Sequence, residues 1–546
     1  MKVAYSHLLK YIFSNPTIED ISHKLFQLGH ENEIENGIFD IEVTPNRGDC
    51  LSILGLLREL SIFYKTADIF DNIYSKEIKP LEIDFINHAP DICESISFLQ
   101  IDIENLDGMY KDELKDYFDD MQIKKNNFFT DISNYISYET GQPTHCYDFK
   151  KISGSLSFKE INSPYRLMSL LGKEIKLSEN NPVFLLNNDE VINLAGVVGS
   201  KNTSCSKETK SVLIECAYFN PESIIGKSLK YDIQSDAAYK FERGVDKLCH
   251  LKTMRRFISI VEKHAKITNV KLFQENYKKT NPVKIKFDEN KLNNVIGMNV
   301  DENSYKVFFE KLGFELKNNE IVVPSHRGDI SSMNDLAEEV ARCIGYDNIP
   351  LKKFEINFNK VKKQNYSKES ITKEFLLEKG FYEVINFPFT DKNNSKSISI
   401  DNPLDKNRKF MRTDLKESLL NKLIFNEKRQ QDSVKLFEIS DVYSNDPDIT
   451  VNRKIGIIAS GRLGRNYVDF SKKVNENYLE ELLNVISPIK TITIEIIDRK
   501  NINSKMKDKI FYFEIDIDNI SDNILSYKTQ FTYPERFKQY KQISEQ

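Results

Sequence analysis

The stretch Arg327-Gly-Asp-Ile-Ser-Ser-Met-Asn-Asp-Leu-Ala-Glu-Glu-Val-Ala-Arg342 predicts a turn followed by an acidic helix. Asp335, Glu338 and Glu339 lie at positions i, i+3 and i+4, a spacing that places three carboxylates on one helix face. Asp329, in the turn before the helix, can lean toward the same spot. A divalent cation with oxygen ligands would be an economical counter-charge. Helix geometry alone favours the alternative, a solvated acidic face neutralised by Arg327 and Arg342, which lie at the two ends of the stretch.

A diverged internal copy of this unit shifts the balance toward a cation. Ile41–Asp49 resembles Ile321–Asp329, and Lys24–Glu31 resembles Val307–Glu315 around a shared Leu-Gly step. The period is too long for a solenoid, so we interpret the repeat as one module used twice. In the first copy the three matching helix positions are occupied, in order, by Gly55, Arg58 and Glu59. A generic solvated face would more easily keep its acids in both copies, which makes a metal site in the second copy plausible.

Length and composition limit the class of protein. A chain of 546 residues exceeds what one hydrophobic core supports, so three or four domains are expected. No apolar stretch approaches the length of a membrane span, and the N-terminus lacks the apolar region of a signal peptide. Seven dispersed cysteines without a Cys-x-x-Cys pair argue against a disulfide framework and against a zinc knuckle. We therefore expect a cytoplasmic protein that does not associate with membranes.

The charge balance bears on partners. The formal net charge is −5, and acidic and basic residues are well mixed along the chain. A strongly basic composition would indicate nucleic-acid binding, but the charge balance of this chain gives no such indication. Contact with RNA would therefore need a local patch or a partner protein.

Hydrophobic periodicity divides the chain into four predicted domains of a multidomain α+β fold. Residues 1–74 form an N-terminal module, the first copy of a helix–strand–turn–helix repeat, and residues 283–352 form the second copy with the acid cluster. Residues 75–277 alternate strand and helix patterns and predict a mixed α/β domain. Residues 364–540, beyond a polar connector, predict an antiparallel sheet domain with helices.

The middle domain contains residues that outline a polar pocket. His145 lies in the turn Gly141–Asp148, which is rich in polar and conformationally special residues. The run Leu194–Gly199 has closely spaced small residues, which let a ligand approach backbone N–H groups. Glu215 lies in an otherwise apolar strand, so its carboxylate is either solvated or aimed into a cavity as a hydrogen-bond acceptor. Each feature alone is more often structural. Together they indicate a pocket that has a wall of small residues, a hydrogen-bond acceptor and an imidazole.

Nine ordered motifs carry a family resemblance: Asp40–Leu51, Asp131–Tyr135, Gly141–His145, Tyr239–Asp246, Val323–Arg327, Asp335–Arg342, Gly345–Pro350, Met411–Thr413 and Leu436–Ile439. Over nearly its whole length the chain resembles the β subunit of bacterial phenylalanine–tRNA ligase (phenylalanyl-tRNA synthetase). The resemblance implies an α₂β₂ enzyme that charges tRNA(Phe), in which the α subunit holds ATP, phenylalanine and the aminoacylation site. It also implies that residues 364–540 are a degenerate class II synthetase-like domain that packs against α.

The same resemblance implies that residues 75–277 are an editing domain, which hydrolyses tyrosine mischarged onto tRNA(Phe). By motif match the catalytic residues fall on Asn134, His145 and Glu215, and the substrate-binding residues on Ala195 and Gly196. Glu215 would accept a hydrogen bond from the tyrosine phenol, while His145 and Asn134 orient the ester and a water attacks it. A phenylalanine pocket cannot reject every isostere by fit, so a second site that hydrogen-bonds the extra hydroxyl is useful.

The family's magnesium ligands match Asp329, Asp335, Glu338 and Glu339, which agrees with the acid cluster found from spacing. The resemblance implies one Mg²⁺ per chain with a structural role.

The chain departs from the family pattern in three places. The oligonucleotide-binding barrel that bacterial β chains insert near residue 38 is absent, because Ile34–Gly37 runs almost directly into Asp40–Val43. The C-terminal ferredoxin-like anticodon-binding domain, expected after Ser544, is also absent, naturally or by truncation. Both differences put direct tRNA binding by this chain in doubt. The Gly-Gly that often ends the small-residue loop is Gly199-Ser200 here, a change that could alter editing.

Three functional hypotheses follow. The first is a β subunit that builds the ligase and edits, and the retained Asn134, His145 and Glu215 favour it. The second is a purely structural subunit whose editing site has decayed along with its RNA-binding domains. The third, a free-standing metal hydrolase, is disfavoured because the acid cluster and the His145 region lie in different predicted domains.

Overall fold

The structure is a computed structural model that describes residues 1–106, 109–187, 189–351, 367–446, 448–464, 470–487, 492–502 and 504–526. The chain divides into two compact units, Met1–Lys353 and Phe354–Gln546. The predicted connector and the last residues of the predicted sheet domain, 527–540, lie outside the described residues. The mixed α+β, multidomain class is confirmed, whereas the division into four domains stays a prediction. Within the described ranges, no helix is long and apolar enough to cross a membrane.

The N-terminal module is built on a three-stranded sheet. Its elements are β1 (Lys2–Ala4), α1 (Tyr5–Leu9), α2 (Ile18–Gln27), β2 (Glu31–Glu35), β3 (Ile38–Glu42) and α3 (Ile53–Leu60). The strand order is β1-β3-β2, and all pairs are antiparallel. Asn36 and Gly37 join β2 to β3 with φ angles of 51° and 76°, the left-handed conformation that a two-residue hairpin turn requires. The hairpin therefore leaves no room for an inserted domain at this point.

The second copy of the module repeats this plan. Its elements are β16 (Lys284–Lys286), α9 (Glu289–Ile296), α10 (Glu302–Lys311), β17 (Glu315–Lys317), β18 (Glu320–Val322) and α11 (Met333–Ile344). The strand order β16-β18-β17 matches β1-β3-β2, with the third strand again in the centre. In both copies a helix leads into a hairpin, and an Arg-Gly-Asp turn leads into a second helix. The predicted module of helix, strand, turn and helix thus contains a hairpin where one strand was expected.

The middle region is built on two five-stranded sheets with helices beside them. Its strands are β4 (Lys79–Pro80), β5 (Phe85–Asn87), β6 (Cys93–Leu106), β7 (His145–Asp148), β8 (Leu156–Ile161), β9 (Tyr165–Met168), β10 (Glu174–Leu177), β11 (Asn181–Leu186), β12 (Val191–Leu194), β13 (Val198–Gly199), β14 (Ser211–Phe219) and β15 (Ala265–Asn276). Its helices are α4 (Asp112–Asp120), α5 (Phe128–Thr140), α6 (Lys227–Tyr231), α7 (Asp236–Arg243) and α8 (His250–His264).

The orders of these two sheets are β4-β15-β6-β14-β7 and β13-β12-β11-β8-β5. Apolar residues from both sheets, among them Phe98, Phe184 and Phe219, share one buried cluster. A second cluster joins α5 and α8 to apolar residues of the N-terminal module such as Phe39. The edge of the first sheet, β7 beside β14, therefore lies against the second sheet.

The second unit contains a five-stranded sheet of order β19-β22-β23-β25-β24. Its elements are α12 (Lys368–Glu378), β19 (Tyr382–Glu383), β20 (Phe389–Thr390), β21 (Phe410–Met411), α13 (Lys416–Glu427), β22 (Ser433–Asn445), β23 (Ile449–Gly461), α14 (Glu476–Ile486), β24 (Glu495–Ile497) and β25 (Ile510–Asp516).

This sheet corrects the prediction of a wholly antiparallel domain. The edge strand β19 pairs in parallel with β22, while β22, β23, β25 and β24 pair antiparallel. The chain between β19 and β22 contains α13, and a crossover of that length allows parallel pairing. The sequence pattern of residues 382–389 predicts one strand, but the structure has two short strands there, β19 and β20. The pattern of residues 397–400 also predicts a strand, and the structure has only an isolated bridge between Ser399 and Phe410 there.

Candidate functional site

The site is set by the pairing of β7 with β14. In this antiparallel ladder His145 lies directly opposite Glu215. Alternate residues of a strand share a face, so Tyr147 lies on the same face as His145. Helix α5 ends at Thr140 and is capped by Gly141, whose φ is 82°, and the chain then enters β7. A histidine, a tyrosine and a glutamate are therefore brought together on one face at a sheet edge.

Glu215 is held by two donors on one of its oxygens. The Tyr147 hydroxyl donates to Oε2 at 2.5 Å, and the Asn193 amide nitrogen donates to the same atom at 3.2 Å. The Asn193 amide also donates to the Tyr147 hydroxyl at 3.0 Å, which closes a triangle. Glu215 is only 4% exposed. Burial raises its pKa to about 7, although both hydrogen bonds oppose that rise.

His145 is neutral at physiological pH. Its ring meets the ring of Tyr147 edge to face, with the centroids 4.5 Å apart. Burial lowers the pKa of His145 to about 4. Its Nε2 atom is shielded from solvent and has no hydrogen-bond partner among the described residues. A Cβ on Gly199 would lie 2.2 Å from its Cε1 atom, so only glycine at position 199 leaves room for the imidazole.

Glu215, His145 and the loop between β12 and β13 enclose a cavity of about 50 Å³. Its lining residues are Pro143, Thr144, His145, Asn193, Gly196, Val197, Val198, Gly199, Glu215, Ala237 and Phe241. Gly196 turns the loop with a φ of 69°, and a Cβ there would lie 3.1 Å from the Phe241 ring. The cavity holds a few water-sized groups and is far smaller than a nucleotide.

The structure brings together three of the five predicted editing residues. Glu215, His145 and Gly196 line one cavity. Ala195 is fully buried in the apolar cluster behind the loop and does not line the cavity. Asn134 lies exposed on α5 and is not among the lining residues.

Sequence reasoning missed two polar residues of the site, Tyr147 and Asn193. Tyr147 follows His145 at the two-residue period of a strand, which is a usable signal. Asn193 is the single polar residue of the strand Val191–Leu194, and a buried amide needs partners. Neither signal names Glu215 as the partner, because the three residues belong to strands that only the tertiary fold brings together.

The predicted magnesium ligands are arranged around arginines. Arg327 donates to both oxygens of Asp329 at 2.9 Å and to both oxygens of Glu339 at 2.6 and 2.7 Å. Asp335 accepts backbone N–H bonds from Ser331 and Ser332 through Oδ2, as the third residue of a capping box. Burial alone would raise the pKa of Asp335, but these bonds outweigh it and the pKa is lowered.

Glu338 is exposed, whereas Glu339 is only 4% exposed. Burial would raise the pKa of Glu339, but Arg327 and Arg342 outweigh it and lower that pKa to about 2. Two guanidinium groups thus already neutralise the buried acids. These four residues do not fit a magnesium shell in the geometry of this chain, and a magnesium site there stays a prediction.

The first copy of the module has the same arrangement. Arg47 donates to both oxygens of Asp49, at 2.9 and 3.0 Å, and to Glu59 at 2.6 Å. Arg342 then bridges the copies, because it donates to Glu59 as well as to Glu339. We refer to seven residues as the arginine–carboxylate cluster: Arg47, Asp49, Glu59, Arg327, Asp329, Glu339 and Arg342.

A further metal-ligand candidate lies beside this cluster. Within the described part of the chain, His30, Cys50 and Glu59 are the one group of three side chains of the types His, Cys, Asp or Glu whose potential ligand atoms lie within 4.8 Å of one another. Arg47 donates to the Cys50 sulfur at 3.0 Å, and Glu59 is bound by two arginines. Burial raises the pKa of the Cys50 thiol well above its usual value. A cation would therefore meet guanidinium groups and a protonated thiol.

A larger cavity, with a volume of about 590 Å³, lies in the second unit. Several of its charged side chains are paired, such as Lys392 with Glu417 at 2.9 Å and Arg408 with Asp405 at 3.6 Å. The smaller cavity at Glu215 is chemically more specific, because an acid with a strongly raised pKa faces it.

Three protein-family models match segments that together make up most of the chain. Residues 99–266 match the B3/4 domain, residues 285–346 match the tRNA synthetase B5 domain, and residues 349–494 match the phenylalanyl tRNA synthetase beta chain CLM domain. The chain is 30% identical over 488 residues to the phenylalanine–tRNA ligase beta subunit of Fusobacterium nucleatum, an alignment covering 82% of this chain and 59% of that protein.

The chain belongs to the family of phenylalanine–tRNA ligase β subunits. The β subunit of Francisella tularensis is 27% identical over 471 residues, covering 81% of this chain and 58% of the relative. The chain thus spans about three fifths of the length of these relatives. An N-terminal fragment of the Pyrococcus horikoshii β subunit covers 63% of the chain and 99% of the fragment, at 16% identity and a TM-score of 0.36, too low to support an argument.

Proposed function

We propose that this chain supports the charging of tRNA(Phe) by a catalytic α subunit and hydrolyses Tyr-tRNA(Phe) in the pocket at Glu215. Membership of the β-subunit family supports the first part. The observation that carries the second is a buried glutamate facing a small cavity beside a neutral imidazole. ATP and phenylalanine would be bound by the α subunit of an α₂β₂ assembly.

The pocket suits the phenol end of a tyrosyl group. Both hydrogen bonds that the described side chains donate to Glu215 end on Oε2, and the residue lines the cavity, so Oε1 is left to accept from a ligand hydroxyl. The ring of Phe241 and the small-residue loop that contains Gly196 supply an apolar wall. A phenylalanyl group would leave Oε1 without its donor, and a buried acceptor without a partner is costly. The pocket therefore favours a tyrosyl group over a phenylalanyl group, because only the tyrosyl group has a hydroxyl that can donate to Oε1.

The reaction is ester hydrolysis and needs no redox partner. The oxygen of a water molecule bonds to the carbonyl carbon of the aminoacyl ester, and the bond from that carbon to the ribose oxygen breaks. The ribose oxygen takes up a proton, and free tyrosine and uncharged tRNA(Phe) result. His145, neutral with a pKa of about 4, would orient the ester or the water through its unpartnered Nε2. Asn134, on the exposed face of α5, would contact the tRNA end rather than the phenol.

Deacylation of Tyr-tRNA(Phe) tests this proposal. The chain assembled with its α subunit is expected to release tyrosine faster than the uncatalysed reaction, and Glu215→Ala is expected to abolish the acceleration. Tyr110→Phe is a matched control, because its hydroxyl bonds a carboxylate, Asp131, outside the lining of the cavity. Equal rates for wild type and Glu215→Ala would overturn the editing role.

A purely structural subunit is the second candidate function. Two observations favour it: Asn134 and Ala195 do not line the cavity, and the cavity is small. On this hypothesis the wild-type assembly charges tRNA(Phe) but leaves Tyr-tRNA(Phe) intact. The same deacylation assay distinguishes the two, since charging activity is retained in both cases.

A further inference from the structure

We propose that Tyr147 is a positioning residue that makes the pocket specific for a ligand hydroxyl, because it fixes Glu215 with one oxygen bound and the other open. The inference rests on the proposed editing function and adds a residue that supports it without contacting the substrate. It follows from two contacts on one face of the β7–β14 ladder and from the charges around Glu215.

The first contact fixes the carboxyl group. A carboxylate has two equivalent oxygens, and an unrestrained Glu215 could turn either of them toward the cavity. The Tyr147 hydroxyl at 2.5 Å and the Asn193 amide at 3.2 Å both bind Oε2. Because both donors use one oxygen, the second oxygen, Oε1, is the acceptor that a ligand meets.

The second contact fixes the imidazole. The Tyr147 ring meets His145 edge to face at 4.5 Å, and Gly199 closes the other side of the imidazole. Tyr147 is itself fully buried, and the Asn193 amide restrains its hydroxyl at 3.0 Å. One side chain therefore positions both of the groups that would meet the two ends of the aminoacyl group.

The third observation concerns charge. The titratable groups around Glu215 are His145 and Tyr147 on β7, Cys146 also on β7, Cys216 on β14, and Cys93 on β6. Burial raises the pKa of all three thiols well above their usual value, and burial and then Glu215 raise the pKa of Tyr147. The lining residues on α7, Ala237 and Phe241, carry no charge. Among these described groups, Glu215 alone changes its charge near neutral pH.

Removing the Tyr147 hydroxyl has a defined consequence. A donor to the carboxylate stabilises its charged form, so Tyr147→Phe is expected to raise the pKa of Glu215 further. The rising limb of the pH profile for Tyr-tRNA(Phe) hydrolysis, with a midpoint near 7 in the wild type, is then expected to move to higher pH. At pH 7 the rate should fall about tenfold, the usual effect of losing a hydrogen bond to a charged group.

The experiment measures hydrolysis of Tyr-tRNA(Phe) and Phe-tRNA(Phe) from pH 5.5 to pH 9 for the assembled wild type and Tyr147→Phe. We expect the tyrosine profile to shift and the preference for Tyr-tRNA(Phe) over Phe-tRNA(Phe) to narrow. Tyr135→Phe is the matched control, because Tyr135 is also buried and donates to a buried glutamate, Glu139, at 2.6 Å outside the cavity. It is expected to keep the wild-type profile.

Two further measurements keep the inference separate from the editing role. Asn193→Ala removes the second donor, and we expect a smaller shift in the same direction even where Tyr147→Phe does not fold. The pH dependence of unfolding reports the pKa of Glu215 without any substrate. An unchanged profile and unchanged pH dependence of unfolding in both variants overturn the positioning role, whereas absence of hydrolysis by the wild type overturns the editing role alone.

Discussion

Two buried glutamate centres in this chain have the same burial and opposite chemistry. Glu215 and Glu339 are each 4% exposed. Hydroxyl and amide donors hold Glu215, and burial raises its pKa to about 7. Arginines hold Glu339 and lower its pKa to about 2. The comparison teaches that the charge of the neighbours, more than the depth of burial, decides whether a buried carboxylate is available for chemistry or is fixed as part of the fold.

The arginine–carboxylate cluster also allows the two copies of the module to be compared. Position for position, Arg47, Asp49 and Glu59 correspond to Arg327, Asp329 and Glu339, and each arginine donates to the aspartate and the glutamate of its own copy. Arg342 has no counterpart in the first copy, where Ile62 occupies the matching position. One extra arginine therefore joins two similar halves.

The largest expected effect follows from breaking this bridge. Arg342→Met removes one cation from a buried cluster of four carboxylates, and we expect a loss of about 3–5 kcal/mol in the free energy of unfolding of the first unit. Urea denaturation measures it. Arg166→Met is the control, because the Arg166 side chain is 75% exposed and pairs with Glu174 at the surface of the same unit, where such a pair contributes at most about 1 kcal/mol. Similar losses in both variants would contradict the structural role of the bridge.

The second prediction concerns the pH dependence of stability that Glu215 causes. Its pKa in the folded chain lies above that of an unfolded glutamate, so the folded state retains its proton from about pH 4.5 to about pH 7. This contribution to stability is present below pH 4.5 and is lost as the pH rises through that window. Glu215→Gln cannot ionise, so its stability relative to wild type should increase by up to about 3 kcal/mol between pH 5 and pH 8.

Urea denaturation at the two pH values measures this difference. The exposed Glu222 provides the control, since Glu222→Gln should change stability equally little at both pH values. A constant difference between wild type and Glu215→Gln would show that Glu215 does not titrate in this range.

The smallest effect concerns magnesium at the acid cluster. A cation site saturated a hundredfold above its dissociation constant stabilises a protein by about 2.7 kcal/mol. Because Arg327 and Arg342 already neutralise Glu339, and Arg327 also binds Asp329, we expect millimolar Mg²⁺ to leave the melting temperature of the chain alone unchanged. Differential scanning calorimetry with Mg²⁺ or EDTA checks this. A saturable rise in melting temperature that Glu338→Gln removes would instead support the predicted four-ligand site.

The limits of prediction from sequence are clearest at these two centres. The i, i+3, i+4 spacing correctly placed Asp335, Glu338 and Glu339 on one helix. It could not show that Arg327 folds back onto Glu339, because that contact spans a turn whose geometry depends on packing. At the pocket, period-2 alternation could link His145 to Tyr147, yet not to Glu215, 70 residues away along the chain.

The sequence by itself determined the duplicated module, the acidic helix and the family, because these depend on local periodicity and on ordered motifs. The tertiary structure alone decided which buried acids meet arginines and which meet hydroxyls. It placed His145 opposite Glu215, put Asn193 beside both Glu215 and Tyr147, and excluded Asn134 and Ala195 from the cavity. The physical reason is that hydrogen bonds and ion pairs act over a few ångströms, so they depend on strand register and on packing between segments distant in the chain.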